Sequence, residues 1–149
     1  MHEQNRTTVL LLVGKGKDAG RVHTYLKSNA LPFIHTGAVE NAHDYVNMSN
    51  MIVLPSRIDP FPLTVLEAGT CAKPVIGSNV DGIAEMIDDD INGLLFEKEN
   101  VDQLAEKILS LLSNPDRAAR IANALHQKVA SVYTADKIIP LYENVYREL

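Results

Sequence analysis

Only one cysteine, Cys71, occurs in the chain, so no internal disulfide can form, and one thiol among five scattered histidines offers no recognisable metal spacing. Cys71 falls in an apolar helical stretch, where it is expected to pack inward as a small hydrophobe. Long apolar runs are also missing. The longest, such as residues 9–13, fall well short of the roughly 20 residues of a membrane span, and the polar start MHEQNRTT is no secretory signal, so the expected location is the cytoplasm. A basic surplus is lacking too. The 14 Lys and Arg face 19 acidic residues, for a formal net charge of -5, and no stripe of cations is gathered that would neutralise a phosphate backbone. Nucleic acid is therefore not an expected partner. Linkers, repeats and low-complexity tracts are absent as well.

What is present is the material of one globular domain. The 149 residues, 46% of them hydrophobic, suffice to bury about two-thirds of the unfolded surface. The first two thirds of the chain alternate short β-branched runs with amphipathic segments, the pattern of βαβ units in a parallel sheet covered on both faces. Strands are expected at residues 9–13, 33–36, 51–54, 74–76 and 93–96, with helices at 19–28, 41–48, 64–72 and 82–87. After Phe96 the pattern is wholly helical. Asn100 with Gln103 has the look of a capping pair, and Leu104, Ile108, Leu111 and Leu112 form one apolar stripe. Asn114 and Pro115 start a second helix carrying Ile121, Leu125 and Val129. A last helix over residues 135–149 carries Ile138, Leu141, Tyr142 and Val145. The expected architecture is a Rossmann-like three-layer α/β domain spanning 1–149, ending in a helical tail.

Ligands of such sheets sit beyond the carboxyl ends of the strands. Four turns lie there: residues 14–18, 37–40, 55–64 and 77–83. In the third, Pro60 and Pro62 stiffen the chain after Asp59, and the N–H groups near Leu63, Thr64 and Val65 open a helix. A helix start of this kind attracts a diphosphate. Glu67 lies one turn past Thr64, placed to accept hydrogen bonds from two vicinal hydroxyls. The competing reading makes Thr64 and Glu67 a capping box that satisfies only the helix itself, and Asp59 merely the start of a turn before Pro60.

The stretch SRIDPFPLTVLEAGTCAKPVIGSNVDGIAEMIDDDINGLLF resembles the C-terminal domain of the family 4 (group 1) retaining glycosyltransferases. The family pattern is an acidic residue, seven positions, a glutamate, a small-residue helix, a Lys-Pro-Val-Ile strand, a glycine turn with Glu, and an Asn-Gly-Leu-Leu-Phe segment. Asp59 and Glu67, Lys73 to Ile76, Asp81-Gly82 with Glu85, and Asn92 to Phe96 follow that order. Upstream, VLLLVGKGKD and IHTGAVEN resemble the family's glycine turns. Each element is common alone; the order and spacing are specific.

The resemblance implies one half of a GT-B fold that binds a nucleotide-sugar, UDP- or GDP-linked, without a metal or other cofactor. Asp59 and Glu67 become the candidate catalytic pair, Asp59 toward hydroxyls of the donor sugar and Glu67 toward the ribose. Gly14, Gly16, Gly37 and Val39 become candidate donor contacts near the base, and Pro60, Phe61, Pro62, Leu63 and Thr64 candidate contacts to the diphosphate and sugar. Asp59 stands where the family usually has Glu, and PFP replaces the commoner Gly-Phe-Gly. Lys15 and Lys17 are expected to be solvated, Glu85 to be a helix-start carboxylate, and His35 a strand-end histidine beside the base turn.

The family's Arg and Lys phosphate clamps precede the strand at residues 9–13, and its acceptor domain lies N-terminal to both. Neither is contained in the 149 residues, so weak donor binding and no transfer are expected of this polypeptide alone, with the N-terminal domain or a partner chain completing the site. Tyr142 and Tyr146 are expected to be left partly exposed, with self-association one response. A non-catalytic interaction subunit is the alternative of a different class. A dinucleotide oxidoreductase domain would require GxGxxG after the first strand and an acid ending the second, whereas GKGKDAG and His35-Thr36 stand there.

Overall fold

The computed structural model describes residues 8–148. They divide into two compact units, one ending at Met48 and one beginning at Ser49. In the first unit, β1 (Leu10–Val13) and β2 (Phe33–Gly37) pair in parallel, with Leu10 opposite Phe33 and Leu12 opposite His35. The register shifts between Leu12 and Val13, which puts Val13 opposite Gly37. Helix α1 (Ala19–Ser28) connects the strands and α2 (Ala42–Met48) follows them; they bury Leu26 and Val46 respectively. Helix α1 stops where Ala30 takes a left-handed φ of 50°.

The second unit holds β3 (Ile52–Leu54), β4 (Val75–Ser78) and β5 (Leu94–Phe96), all parallel in the order β3-β4-β5. Strand β4 is central and all four of its residues are buried, which is why its sequence VIGS shows no polar alternation. Helices α3 (Leu63–Thr70) and α4 (Asp81–Met86) make the crossovers. The helical tail is α5 (Val101–Leu112), α6 (Pro115–Val132) and α7 (Ala135–Arg147). All five expected strands are therefore present, parallel within each of the two sheets, with Rossmann-like α/β connections and a helical C-terminal tail.

The core of this unit joins sheet to tail. Ile76, Leu94 and Phe96 from the strands pack with Ile108, Leu111 and Ile121 from α5 and α6, and each such side chain contributes about 1.5–3 kcal/mol by leaving water. The tail helices start where the sequence says. Asn100 accepts a hydrogen bond from the Gln103 N–H at 3.0 Å, and Asn114 one from the Arg117 N–H at 3.0 Å, with Pro115 in the first turn. Gln103 does not reach back to Asn100; its side-chain oxygen accepts the Glu97 N–H at 2.8 Å. The ring Nδ1 of His126 on α6 donates to the Gly69 carbonyl of α3 at 2.8 Å, since a carbonyl only accepts.

Three expectations change. Helix α3 begins at Leu63 and ends at Thr70, because Ala72 takes φ 49° and cannot continue the turn. Cys71 is thus a half-buried residue just past the helix, where it had been expected inside one. Helix α4 begins one residue earlier than expected, so the acid of its first turn is Asp81 and Glu85 lies beyond that turn. Helix α7 buries none of its residues, and Tyr142 and Tyr146 are exposed as anticipated; Leu149 lies outside the described residues.

The turn between α4 and β5 is held by charge. Asp88 pairs with Lys128 at 2.8 Å, Asp89 with Lys107 at 3.2 Å, and Asp90 with Arg117 at 2.7 Å. Beneath them the buried Asn92 accepts the Asp88 N–H at 2.8 Å. The Arg117 hydrogen bond holds the Asp90 carboxyl below its ordinary 3.8, the charges of Arg117, Arg120 and Lys107 adding to it and partial desolvation opposing it. A depressed folded pKa favours the folded state above the unfolded pKa, and that contribution is lost as pH falls through the folded value. The side chain is 58% exposed, so the gain is a fraction of about 1 kcal/mol. In urea titrations, wild type is expected to exceed Asp90→Asn in stability from neutral pH down to about pH 4, and the gap to close below it. A gap unchanged down to about pH 2 would contradict this assignment.

Candidate functional site

Each unit presents its own turns at the carboxyl ends of its strands. In the first, Gly14 follows β1 and Gly37 ends β2, with φ of 113° and 70°, a region that costs a residue with a Cβ about 1–2 kcal/mol. The two turns are tied directly. The Gly14 N–H donates to the Gly37 carbonyl at 2.8 Å, and the Gly14 carbonyl accepts His35 Nε2–H at 2.8 Å. With Nε2 donating, Nδ1 of a neutral His35 is the acceptor, and His23 Nε2 meets it at 2.7 Å. The His23 ring stands edge-on to His35, 4.7 Å between centroids. Both His35 nitrogens are thus engaged within the unit, which makes it a brace for the Gly14 turn. Gly16 is exposed with open space around it, Val39 is half-buried, and Lys15 and Lys17 are exposed.

The second unit carries Asp59, Pro60, Phe61, Pro62, Leu63, Thr64 and Glu67 on one continuous segment, the loop after β3 and the start of α3. Pro62 is the residue that precedes the helix, extended at φ -74° and ψ 98°, and no side chain caps the helix. Thr64 therefore sits inside the helix, and the capping box expected as the alternative for Thr64 and Glu67 does not form. Val65 N–H donates to the Pro62 carbonyl at 3.0 Å. Among the described residues, no acceptor engages the N–H of Leu63 or Thr64, and no donor engages the half-buried Glu67 carboxylate. An open helix N-terminus with two free N–H groups carries partial positive charge.

The neighbouring turn after β4 holds this loop from behind. Ser78 is 1% exposed, and its hydroxyl donates to the Ser56 carbonyl at 2.5 Å. Asp59 N–H donates to the Asp81 carboxylate at 3.1 Å, and Gly82 N–H donates to the Asp59 carbonyl at 3.1 Å. Gly82 is packed so closely that an added Cβ would fall on the Pro60 carbonyl oxygen and lie 2.6 Å from its carbon. Among the described residues, the half-buried Asp59 side chain has a single long contact, the Ser56 hydroxyl at 3.5 Å. Arg57 reaches away to Glu99 at 2.7 Å, both exposed. Phe61 meets Tyr133 at 6.3 Å between centroids in a T-shaped contact.

Sequence reasoning located the loop and its helix but missed Ser78, Asp81 and His23. The Asp-Gly pair had been noted for its glycine and for Glu85, whereas Asp81 binds Asp59 across 22 residues and Gly82 binds it as well. Among the described residues no three His, Cys, Asp or Glu side chains gather as a metal site would need, and no helix is long and apolar enough to cross a membrane.

The sequence profile of the family described as glycosyl transferases group 1 matches residues 1–128. An uncharacterized glycosyltransferase of Methanocaldococcus jannaschii is 29% identical over 141 residues, which cover 93% of this chain and 40% of that protein. The N-acetyl-alpha-D-glucosaminyl L-malate synthase of Bacillus anthracis is 28% identical over 142 residues, 94% of this chain and 37% of the synthase. The chain thus spans two fifths or less of the length of these relatives. Among solved structures, the Anabaena protein HepE in complex with UDP-glucose superposes with a TM-score of 0.87 at 20% identity, over 93% of this chain and 40% of its own, a likeness of fold.

The packing around Gly82 sets a test. Gly82→Ala must displace the backbone of Pro60 and is expected to cost about 1–3 kcal/mol, read as a lower midpoint of thermal unfolding. Gly20→Ala, where nothing lies within 4 Å, is the control and is expected to lose nothing, since alanine is the better helix former by up to about 1 kcal/mol. Equal stability of the two variants would show that the loop is not held against Gly82.

Proposed function

The chain belongs to the group 1 glycosyl transferases, and from that membership we propose that it is the nucleotide-sugar donor-binding domain of a retaining hexosyltransferase. The observation that carries the proposal is the start of α3. A proline-stiffened loop delivers two unengaged N–H groups, on Leu63 and Thr64, to the start of the helix that carries Glu67, whose carboxylate is unengaged among the described residues. The diphosphate of the donor is assigned to those N–H groups, where the helix end favours negative charge. Glu67 is assigned to the ribose hydroxyls and Asp59 to hydroxyls of the sugar. The missing capping box supports the assignment of Glu67, because its carboxylate is not spent on the helix. Gly14, Gly16, Gly37 and Val39 are kept as donor contacts on the strength of the family resemblance.

Electrostatic stabilisation of the leaving diphosphate is the contribution expected of such a site, and no metal or other cofactor is part of the proposal. UDP is favoured over GDP because the Anabaena structural relative is in complex with UDP-glucose. The relatives are more than twice as long as this chain, so transfer to an acceptor is assigned to the domain acting with further protein, in the same polypeptide or a partner chain, in the cytoplasm. One observation favours a second reading, an interaction module without catalysis: α7 exposes Ile139, Leu141, Tyr142, Val145 and Tyr146 on its surface.

Calorimetric titration of the folded chain with UDP, GDP, ADP and their sugar conjugates, up to about millimolar concentration, separates the two. The donor-site reading predicts saturable binding of one nucleotide, weakened about tenfold or more in Glu67→Ala, the scale of a lost hydrogen bond to a charged group. No binding by any of them would support the interaction module.

A further inference from the structure

Asp81 opens α4 with φ 37°, in the left-handed region where a side chain is strained and glycine is not. Its carboxylate does not cap α4, which has no side-chain cap. It instead accepts the N–H of Asp59 at 3.1 Å, while the next residue, Gly82, donates its own N–H to the Asp59 carbonyl at 3.1 Å. Two consecutive residues thus grip both sides of the Asp59 backbone. Among the described residues, Asp59's own side chain is held only by the 3.5 Å contact with Ser56, too long to fix it firmly. The direction of that carboxylate is therefore set by the backbone from which it springs, and the backbone by Asp81.

We propose that Asp81 is a positioning residue for sugar recognition: it spends a strained conformation to aim Asp59 at the sugar moiety of the nucleotide-sugar. The inference rests on the donor-site reading above, in which Asp59 meets the sugar and the α3 N-terminus with Glu67 meets the nucleotide. It follows that Asp81 affects the sugar and leaves the nucleotide alone. Glycine at this position relieves the backbone strain but removes the acceptor. Asparagine enters the left-handed region as readily as aspartate does and keeps a side-chain oxygen for the Asp59 N–H.

These two substitutions make the test, with Asp59→Ala as reference. Affinities of the whole chain for UDP and for UDP-glucose are measured by calorimetry for wild type, Asp81→Gly, Asp81→Asn and Asp59→Ala, with thermal unfolding alongside; GDP and GDP-mannose replace them if guanine is the base that binds. Asp81→Gly is expected to reproduce the change in UDP-glucose affinity seen in Asp59→Ala, about tenfold for one lost hydrogen bond to a charged acceptor. It should bind UDP as wild type does and unfold at no lower temperature. Asp81→Asn is expected to restore UDP-glucose binding. Wild-type affinity for UDP-glucose in Asp81→Gly, beside a loss in Asp59→Ala, would overturn the inference and leave the donor site standing. So would a large drop in the unfolding temperature of Asp81→Gly, which would make the bond a support of the fold. A loss of UDP affinity equal to that for UDP-glucose would do the same. Unchanged sugar binding in Asp59→Ala would remove Asp59 from the sugar and the inference with it, and failure of wild type to bind either nucleotide would overturn the donor-site reading itself.

Discussion

Two hydrogen bonds to the main chain of one residue order the second unit's candidate loop. Asp59 gives its N–H to the Asp81 carboxylate and takes the Gly82 N–H on its carbonyl, so the loop after β3 is tied to the turn after β4. The tie works because β4 is the buried centre of its sheet, a rigid base from which a short turn reaches its neighbour. Ser78, at the end of that strand, adds a third link through the Ser56 carbonyl. With the loop fixed from behind, Pro62 delivers the chain to α3 in an extended conformation, and the first N–H groups of the helix are left open. An open helix start is poorly satisfied by the protein itself, and an anion resolves that deficit.

The tail of the same unit supports α3 and the loop before it, and touches that loop where Phe61 meets Tyr133. Helices α5 and α6 close the core on Ile76, Leu94 and Phe96, and their cations hold the Asp88 to Asp90 turn in place. His126 of α6 bonds the carbonyl of Gly69 near the end of α3, so the helix whose N-terminus is left open is anchored at the other end. In the first unit the equivalent brace is a chain from His23 through His35 to the Gly14 carbonyl. Both histidines serve backbone geometry, which accounts for their placement without a ligand.

Much of this was legible before any coordinates. The alternation of short apolar runs with helical spacing announces parallel strands, and Asn100 and Asn114 announce helix starts that form as read. Such signals are local, each carried by a few consecutive residues. What could not be read depends on partners far apart in the chain. Thr64 and Glu67 have the spacing of a capping box, but Pro62 takes the boundary position and Thr64 falls inside the helix. Cys71 seemed to belong to a helix that Ala72, with its positive φ, brings to an end. Asp81 looked like a residue beside a glycine, and only the fold shows that its carboxylate binds a backbone 22 residues away.

The central claim is that the open N-terminus of α3 holds the diphosphate of a nucleotide-sugar. Its most direct test is the amide spectrum of the isotopically labelled chain, recorded during titration with UDP and, separately, with uridine, which lacks the diphosphate. The account predicts that UDP shifts the Leu63 and Thr64 resonances and that uridine leaves them in place. Shifts at those two amides that are equal for both ligands, or UDP-induced shifts confined to other amides, would contradict it.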